Sequence, residues 1–465
     1  MAAASFVRRA CDPCHNLKEK CRRPDSETPC ERCSRLNQLC RTMRHAAKTG
    51  RKPRCQRRLL YTLPNSTNSS FGDGYITSPQ DLLSGSNLYD GGLAANTVVF
   101  STLDGWERHF LNLMKDIVAP SPLDKFLVGP TFHESHHVSF IQSLIMPTPA
   151  LKHAAVACAA ALFGDENDER AALAISSLRS FQISNEQDID TLLILGVAMV
   201  TFAMHVSDGQ ASLISHYTLS LIKPLAQTIY TLNSEMVDYW MCLVCTETSE
   251  CLLKSEVPSM RVDPCKRTHE VDRYLGLSSS IFAHFYDICE AGSSLKNASI
   301  ATAAMVVENL ASIKVAVDQW HTTPPSDFLD QYTQAEVVSM LSQAKIFRFA
   351  ALLIIHRLQY PYGEQDRQAS VLGRAIIDEF DMVLQITQRS VPCTALPYLA
   401  ACFEIVESDS RNAALGKLKD IVTFSRQSRV RFEKTLTSVW KARDQGYHFH
   451  WFELGQYAVS GAPGK

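Results

Sequence analysis

Six cysteines within one stretch of thirty residues constrain this chain more than any other feature. Their spacing is C-x2-C-x6-C, then a gap of eight residues, then C-x2-C-x6-C again. The second half repeats the first, so the stretch is an internal repeat with a loop between its halves. A segment this small cannot bury a real apolar core, so its folding must depend on what the cysteines hold. The six are Cys11, Cys14, Cys21, Cys30, Cys33 and Cys40.

Paired Cys-x2-Cys units are typical of tetrahedral zinc, because this spacing lets two thiolates reach one metal. Two separate four-thiolate sites would need eight ligands, but six are enough if one thiolate from each half binds both metals. A disulfide framework is the alternative. Residues 1–10 contain no long apolar run of the kind that a secretory signal requires, and a cytosolic or nuclear chain keeps its thiols reduced. We therefore predict zinc rather than disulfides.

On this spacing, residues 8–41 resemble the binuclear zinc-cluster (Zn2Cys6) DNA-binding domain of fungal transcription factors. The resemblance implies two Zn²⁺ ions, with Cys11 and Cys30 bridging them. It assigns Cys14 and Cys21 to one zinc site and the last two cysteines to the other. It also implies that the first short helix enters the major groove of double-stranded DNA, usually over a CGG triplet. The motif is specific, but it covers under a tenth of the chain.

Lysine and arginine between the cysteines would make the DNA contacts. Lys18 matches the family position that reads bases, and lysine can donate to guanine O6 and N7. Its basic neighbours would hold phosphates and so add affinity without sequence preference. His15 and Leu17 depart from the family pattern, which often has a basic residue at both positions. The predicted DNA-contacting residues are Lys18, Lys20, Arg22, Arg23, Arg9 and His15.

The charge of the chain is unevenly distributed. Residues 1–60 contain 16 lysines and arginines against 5 acidic residues, whereas the remainder contains 30 against 43. A basic segment over residues 1–60, followed by an acidic remainder, indicates that only the N-terminal segment has a polyanionic partner. A dense basic run after Gly50 could be a nuclear import signal, a minor-groove arm or both. A basic linker that helps non-specific binding is an equal alternative. The residues of this run are Arg51, Lys52, Arg54, Arg57 and Arg58.

Composition divides the rest of the chain into a linker and a large domain. Residues 61–100 are rich in Ser, Asn, Gly and Pro, which is typical of a flexible linker. No heptad repeat follows the cysteines, so the protein binds DNA as a monomer or forms a homodimer through its large domain. We predict a zinc-cluster domain over residues 1–45, a basic arm and flexible linker over 46–100, and a helical regulatory domain over 101–465.

The large domain has the apolar periodicity of helices and no convincing strand pairs. Residues 106–117 have one apolar face. Thr148 as a capping residue, followed by Pro149 at the first helical position, predicts a helix start. The apolar run 191–206 is short for a membrane span, so we predict a buried helix and no membrane partner. Further helices are predicted over residues 189–205, 211–227, 235–254, 280–290, 302–319, 334–359, 369–387, 396–407 and 424–443. The fold class is therefore mainly α, with a large all-α C-terminal domain.

Two loose motifs in this domain are similar to the helical middle-homology domain of the same fungal family. One is Pro149-Ala-Leu-Lys-His-Ala-Ala-Val-Ala, and the other is Val271-Asp-Arg-Tyr-Leu-Gly-Leu. Both are weakly specific. They agree with the zinc-cluster resemblance without adding an independent argument.

No enzymatic motif competes with this interpretation. The chain has no G-x-S-x-G, no G-x-x-x-x-G-K-[ST] and no G-x-G-x-x-G. His133, His136 and His137 lack accompanying ligands, so we interpret them as exposed loop residues. A further C-x2-C, with Cys242 and Cys245, lies in a stretch of helical periodicity and favours core packing over metal. We predict that the protein is not an enzyme.

The sequence thus predicts a nuclear, pathway-specific regulator of RNA polymerase II transcription that binds CGG-like DNA sites and recruits co-regulators. The alternative is an interaction or ligand-sensing protein whose zinc cluster is only structural. Salt-dependent, sequence-selective duplex binding separates the two. The sequence does not specify target genes, half-site arrangement, activation or repression, or a small-molecule effector.

Overall fold

The computed structural model describes residues 11, 14, 21, 30–36, 40, 131–132, 148–162, 168–206, 210–264, 271–423 and 425–460. The chain divides into two compact units, Met1–Thr67 and Asn68–Lys465. The predicted domain boundaries, basic arm, flexible linker and 106–117 helix all lie outside the described residues.

The N-terminal unit contains one described helix, α1, which spans Glu31–Arg35. Cys30 precedes it in an extended conformation, and its Sγ accepts a hydrogen bond from the backbone N–H of Cys33 at the helix start. Thiolate capping therefore fixes the first turn in the way that a serine or aspartate oxygen does at other helices.

The second unit is built from α-helices and three short 3₁₀ turns in its described part. Its described residues form no strand, and only an isolated bridge joins Asp272 and Gly276. The predicted all-α fold class is confirmed. The helices are α2 Pro149–Leu162, α3 Asp168–Arg179, α4 Glu186–Val206, α5 Ala211–Ile222, α6 Ala226–Ile229, α7 Ser234–Lys254, α8 Phe282–Lys296, α9 Ile300–Gln319, α10 Phe328–Gln331, α11 Gln334–Gln359, α12 Asp366–Thr387, α13 Ala395–Phe403, α14 Ser408–Ile421, α15 Arg426–Asp444 and α16 Leu454–Ser460.

Local sequence explains where most of these helices begin. Asn233 caps α7 through its side-chain oxygen, which accepts from Met236 N at 3.0 Å. Thr333 and Glu336 form a reciprocal capping box at the start of α11. Helix α2 begins at Pro149 as predicted, but Thr148 Oγ1 has no hydrogen-bond partner, so the predicted cap by Thr148 is wrong.

Several predicted helices differ in extent from the observed ones. The helix predicted over 211–227 ends at Ile222 and continues as the 3₁₀ turn Lys223–Leu225, because Pro224 has no N–H to donate to an α-helical bond. The helix predicted over 396–407 ends at Phe403. In the helical unit, α3, α10, α14 and α16 were not predicted from the sequence, and α6 overlaps a predicted helix only at residues 226–227. Helix α14 buries only three residues, so its apolar periodicity is weak.

The core lies around α4, α7 and α11, which have a buried residue at most positions. Two of the described helices, α4 and α11, are long and apolar enough to cross a membrane by length and composition alone. In these two helices, however, 72% and 67% of the most apolar window is buried inside the protein. This burial accounts for their apolar character and confirms the predicted buried helix over 191–206.

Buried polar contacts fasten the C-terminal helices to this core. The guanidinium of Arg357 on α11 is 0% exposed and donates to both carboxylate oxygens of Glu404, at 2.8 and 2.5 Å. It also donates to Asp366 at 2.6 Å. Trp451 Nε1 donates to the carbonyl oxygen of Leu252 at 2.7 Å, which ties the end of the chain to α7. The last helices are therefore part of the same packed unit.

Candidate metal centre

The six cysteines of the repeat lie together in the N-terminal unit. Their Sγ atoms form two groups of four in which all sulfurs lie within 4.8 Å of one another. Both groups contain Cys11 and Cys30. The first group adds Cys14 and Cys21, and the second adds the last two cysteines of the repeat. Six sulfurs therefore make two four-ligand sets by sharing two of them.

The repeat in the sequence reappears as repeated hydrogen bonds from backbone N–H groups to sulfur. Cys11 N donates to Cys21 Sγ at 3.4 Å, and Cys30 N donates to Cys40 Sγ at 3.3 Å. Each pair spans ten residues at the same place in its own half. The backbone of each half therefore holds the sulfur of its third cysteine against the N–H of its first cysteine in the same way.

The sulfur separations suit zinc. Cys11 Sγ lies 3.7 Å from Cys30 Sγ and 3.6 Å from Cys33 Sγ, and Cys14 Sγ lies 3.6 Å from Cys30 Sγ. Two sulfurs bound about 2.3 Å from one tetrahedral Zn²⁺ lie about 3.8 Å apart. A disulfide would require a separation of about 2.0 Å, and all six cysteines of the repeat are free. The donor set and its spacing therefore fit two zinc ions.

The two shared cysteines differ from their neighbours in acidity. Hydrogen bonding from the backbone of Cys33, helped by the neighbouring thiols, lowers the pKa of Cys30 to about 6. Burial opposes ionisation of Cys11, but hydrogen bonds from Cys14 and Cys33 still lower its pKa. Burial instead raises the pKa of Cys14 to about 12 and also raises that of Cys33. The thiolate is therefore more favoured at the two shared sulfurs than at Cys14 and Cys33.

The other predicted site residues of the N-terminal region lie outside the described residues. These are the DNA-contact set Arg9, His15, Lys18, Lys20, Arg22 and Arg23, and the basic run Arg51, Lys52, Arg54, Arg57 and Arg58. The histidines His133, His136 and His137 are also outside the described part of the chain.

The second C-x2-C lies on α7, as predicted. Cys245 and Cys251 are buried, Cys242 is partly buried, and all three pack in the apolar core of the helical unit. Burial raises the pKa of the Cys251 thiol, and that of Cys242 lies well above its usual value for the same reason. All three cysteines are thus core residues of the helical unit, which confirms the packing interpretation.

The comparisons with known proteins bear on the helical unit. A family model described as the fungal specific transcription factor domain matches residues 143–459, which is more than half of the chain. No significant match was found among curated proteins or among solved structures. The matched residues run from just before α2 to near the end of α16.

Proposed function

Because the chain belongs to the family of the fungal specific transcription factor domain, we propose that it is a sequence-specific DNA-binding regulator of RNA polymerase II transcription. On this proposal the protein is nuclear, acts in one pathway and is not an enzyme. Its helical unit is the regulatory domain, and its N-terminal unit binds double-stranded DNA.

The observation that carries this proposal is the pair of four-sulfur groups that share Cys11 and Cys30. Two Zn²⁺ ions held by these groups would supply the folding free energy that the small N-terminal unit lacks. Zinc bound by four thiolates has no open position for a substrate. The centre therefore suits a structural role that presents nearby residues to a partner.

The chain between the ligands of the first group supplies the DNA contacts in this proposal. Only six residues separate Cys14 from Cys21, and they include Lys18 and Lys20. If Cys14 and Cys21 bind the same Zn²⁺, the six residues between them must stay near that ion. We assign base reading to Lys18 and phosphate contacts to its basic neighbours. The basic run after Gly50 would add nuclear import or minor-groove contacts.

A second candidate is an interaction or ligand-sensing protein with a purely structural zinc cluster. The observation that favours it is the departure from the zinc-cluster pattern at His15 and Leu17, which removes two positive charges that other family members place near DNA. The large helical domain would then carry the function, through a homodimer or through co-regulator binding.

A genome-wide map of DNA bound by the tagged full-length protein in its host distinguishes the two candidates. The regulator predicts discrete peaks upstream of genes that share a CGG-containing sequence. The matched variant Cys30→Ser, which lacks a shared sulfur, should lose these peaks. An immunoblot should show that the variant is as abundant as the wild type. Peaks that persist unchanged in this variant, or the absence of a shared sequence, would reject zinc-dependent sequence recognition.

A further inference from the structure

A cluster of three polar residues joins two core helices to the segment that follows α7. His216 on α5 places its Nδ1 2.6 Å from Oε1 of Glu247 on α7. Ser259 donates to the same oxygen through its hydroxyl at 2.6 Å and through its backbone N–H at 2.9 Å. The Ser259 hydroxyl also lies 2.9 Å from His216 Nδ1. One carboxylate oxygen is therefore the common acceptor of three groups from two other parts of the chain.

Glu247 and His216 differ in how much of each side chain is exposed to solvent. The side chain of Glu247 is 2% exposed, whereas that of His216 is 36% exposed. A proton can therefore reach or leave His216 from solvent while the fold stays intact. The other carboxylate oxygen, Glu247 Oε2, is buried and has no hydrogen-bond partner. The buried charge therefore depends on the groups at Oε1, and leaving it uncompensated is costly.

The charged groups around His216 favour its protonated form. The hydrogen bond to Glu247 raises the pKa of His216, burial opposes this, and the negative charges of Glu247 and Glu256 raise it further. Lys223 acts in the opposite direction. These groups come from α7, from the segment after it and from the 3₁₀ turn after α5. The net effect is a histidine that keeps its proton above the usual pKa of about 6.5.

We infer that His216, Glu247 and Ser259 form a proton-dependent clamp that fastens residues 255–264 to α5 and α7. Because the folded state raises the pKa of the histidine, the clamp is at full strength below about pH 6.5 and weakens as pH rises through the folded value. Loss of the proton leaves the buried carboxylate without its counter-charge.

Other contacts limit this loosening to the neighbourhood of Ser259. Arg261 donates to both oxygens of Asp287 on α8, at 2.9 and 3.0 Å. The backbone N–H of Asp263 donates to Tyr230 Oη at 2.8 Å. In the helical unit, the attachment of the segment around Ser259 therefore changes with pH. This change does not require DNA and does not depend on the proposed function.

Hydrogen–deuterium exchange of the full-length protein at about pH 6 and about pH 8, corrected for intrinsic exchange rates, tests the clamp. In the wild type, peptides covering residues 255–264 should exchange severalfold faster at the higher pH, whereas peptides from α11 should not change. In His216→Gln the same peptides should exchange at one rate at both pH values. The control His321→Gln removes an exposed histidine outside the cluster and should keep the wild-type response.

Equal protection of residues 255–264 at both pH values in the wild type would overturn the clamp, and so would a pH response that survives in His216→Gln. If His216→Gln does not fold, an NMR titration of wild-type histidine Cε1 signals serves instead. A pKa of His216 at or below that of free histidine would overturn the inference. The variant Glu247→Gln, which keeps an oxygen acceptor but removes the charge, should lower that pKa.

Discussion

The thiols of Cys11 and Cys30 lie 3.7 Å apart, and both belong to each of the two groups of four sulfurs in the N-terminal unit. The other four cysteines belong to one group each. Loss of a shared sulfur therefore removes a member from both groups, whereas loss of an unshared sulfur removes a member from one.

This asymmetry predicts different metal contents for two cysteine variants. The full-length wild-type protein should bind about two Zn²⁺ per chain. Cys30→Ser should lose both ions, because each four-sulfur group loses a ligand, and Cys40→Ser should retain about one. Elemental analysis of the dialysed proteins measures the zinc content, which is divided by the protein concentration to give ions per chain. Cys242→Ser on α7 is the matched control and should keep the wild-type metal content. Equal losses in the variants at positions 30 and 40 would contradict the shared-ligand arrangement.

Two glycines in helices should respond oppositely to alanine. A Cβ at Gly196 on α4 would lie 2.8 Å from Thr218 Cγ2 and 3.3 Å from Leu243 Cδ1. Gly196→Ala should therefore destabilise the fold by about 1–3 kcal/mol through overpacking between α4 and its neighbours. Gly416→Ala on α14 meets nothing within 4 Å and should stabilise by about 0.5–1 kcal/mol through helix propensity. Urea unfolding measures both changes, and a neutral or stabilising effect of Gly196→Ala would refute the close approach at this position.

The buried pair of Arg357 and Glu404 predicts a large effect from a single substitution. Arg357→Met should cost about 3–5 kcal/mol, because Glu404 is 3% exposed and would keep an uncompensated charge. Replacing both residues with Met should recover much of this loss. Lys345→Met removes an exposed partner of Glu379 and should change stability by less than about 1 kcal/mol. Denaturant midpoints of the four proteins provide the comparison, and a double variant no better than Arg357→Met would contradict this reasoning.

Lys18 and Arg22 should differ in how they affect DNA binding. Lys18→Ala should cost about 1–3 kcal/mol on the best site and flatten its sequence preference. Arg22→Ala should weaken binding to all sequences alike and reduce the salt slope by about one. Fluorescence anisotropy across salt concentrations and across single-base variants of the site measures both. Sequence-independent losses of equal size would reject base reading by Lys18.

The sequence was sufficient for the features that depend on local spacing. The C-x2-C-x6-C repeat predicted a cysteine cluster, and the described sulfurs of all six residues lie together. The apolar run 191–206 predicted a buried helix, and α4 buries most of its positions. Both features could be predicted because the residues that form them are near one another in the chain.

The contacts between distant residues could not be predicted in this way. Arg357 and Glu404 are 47 residues apart, and His216 and Ser259 are 43 apart. Their polar side chains resemble exposed residues in the sequence, because burial is decided by the packing of α5, α7, α11 and α13. The cap predicted at Thr148 also failed, because its hydroxyl is buried without a hydrogen-bond partner although its position before Pro149 suits a cap.

Selection of duplexes from a random-sequence pool by the full-length, zinc-loaded protein tests the central claim most directly. The account predicts enrichment of sequences that contain CGG, with affinity that falls steeply as salt rises. A parallel sample treated with a chelator should lose this enrichment if, as proposed, bound zinc supplies the folding free energy of the N-terminal unit. Zinc-loaded protein that enriches no sequence above the starting pool would contradict the account.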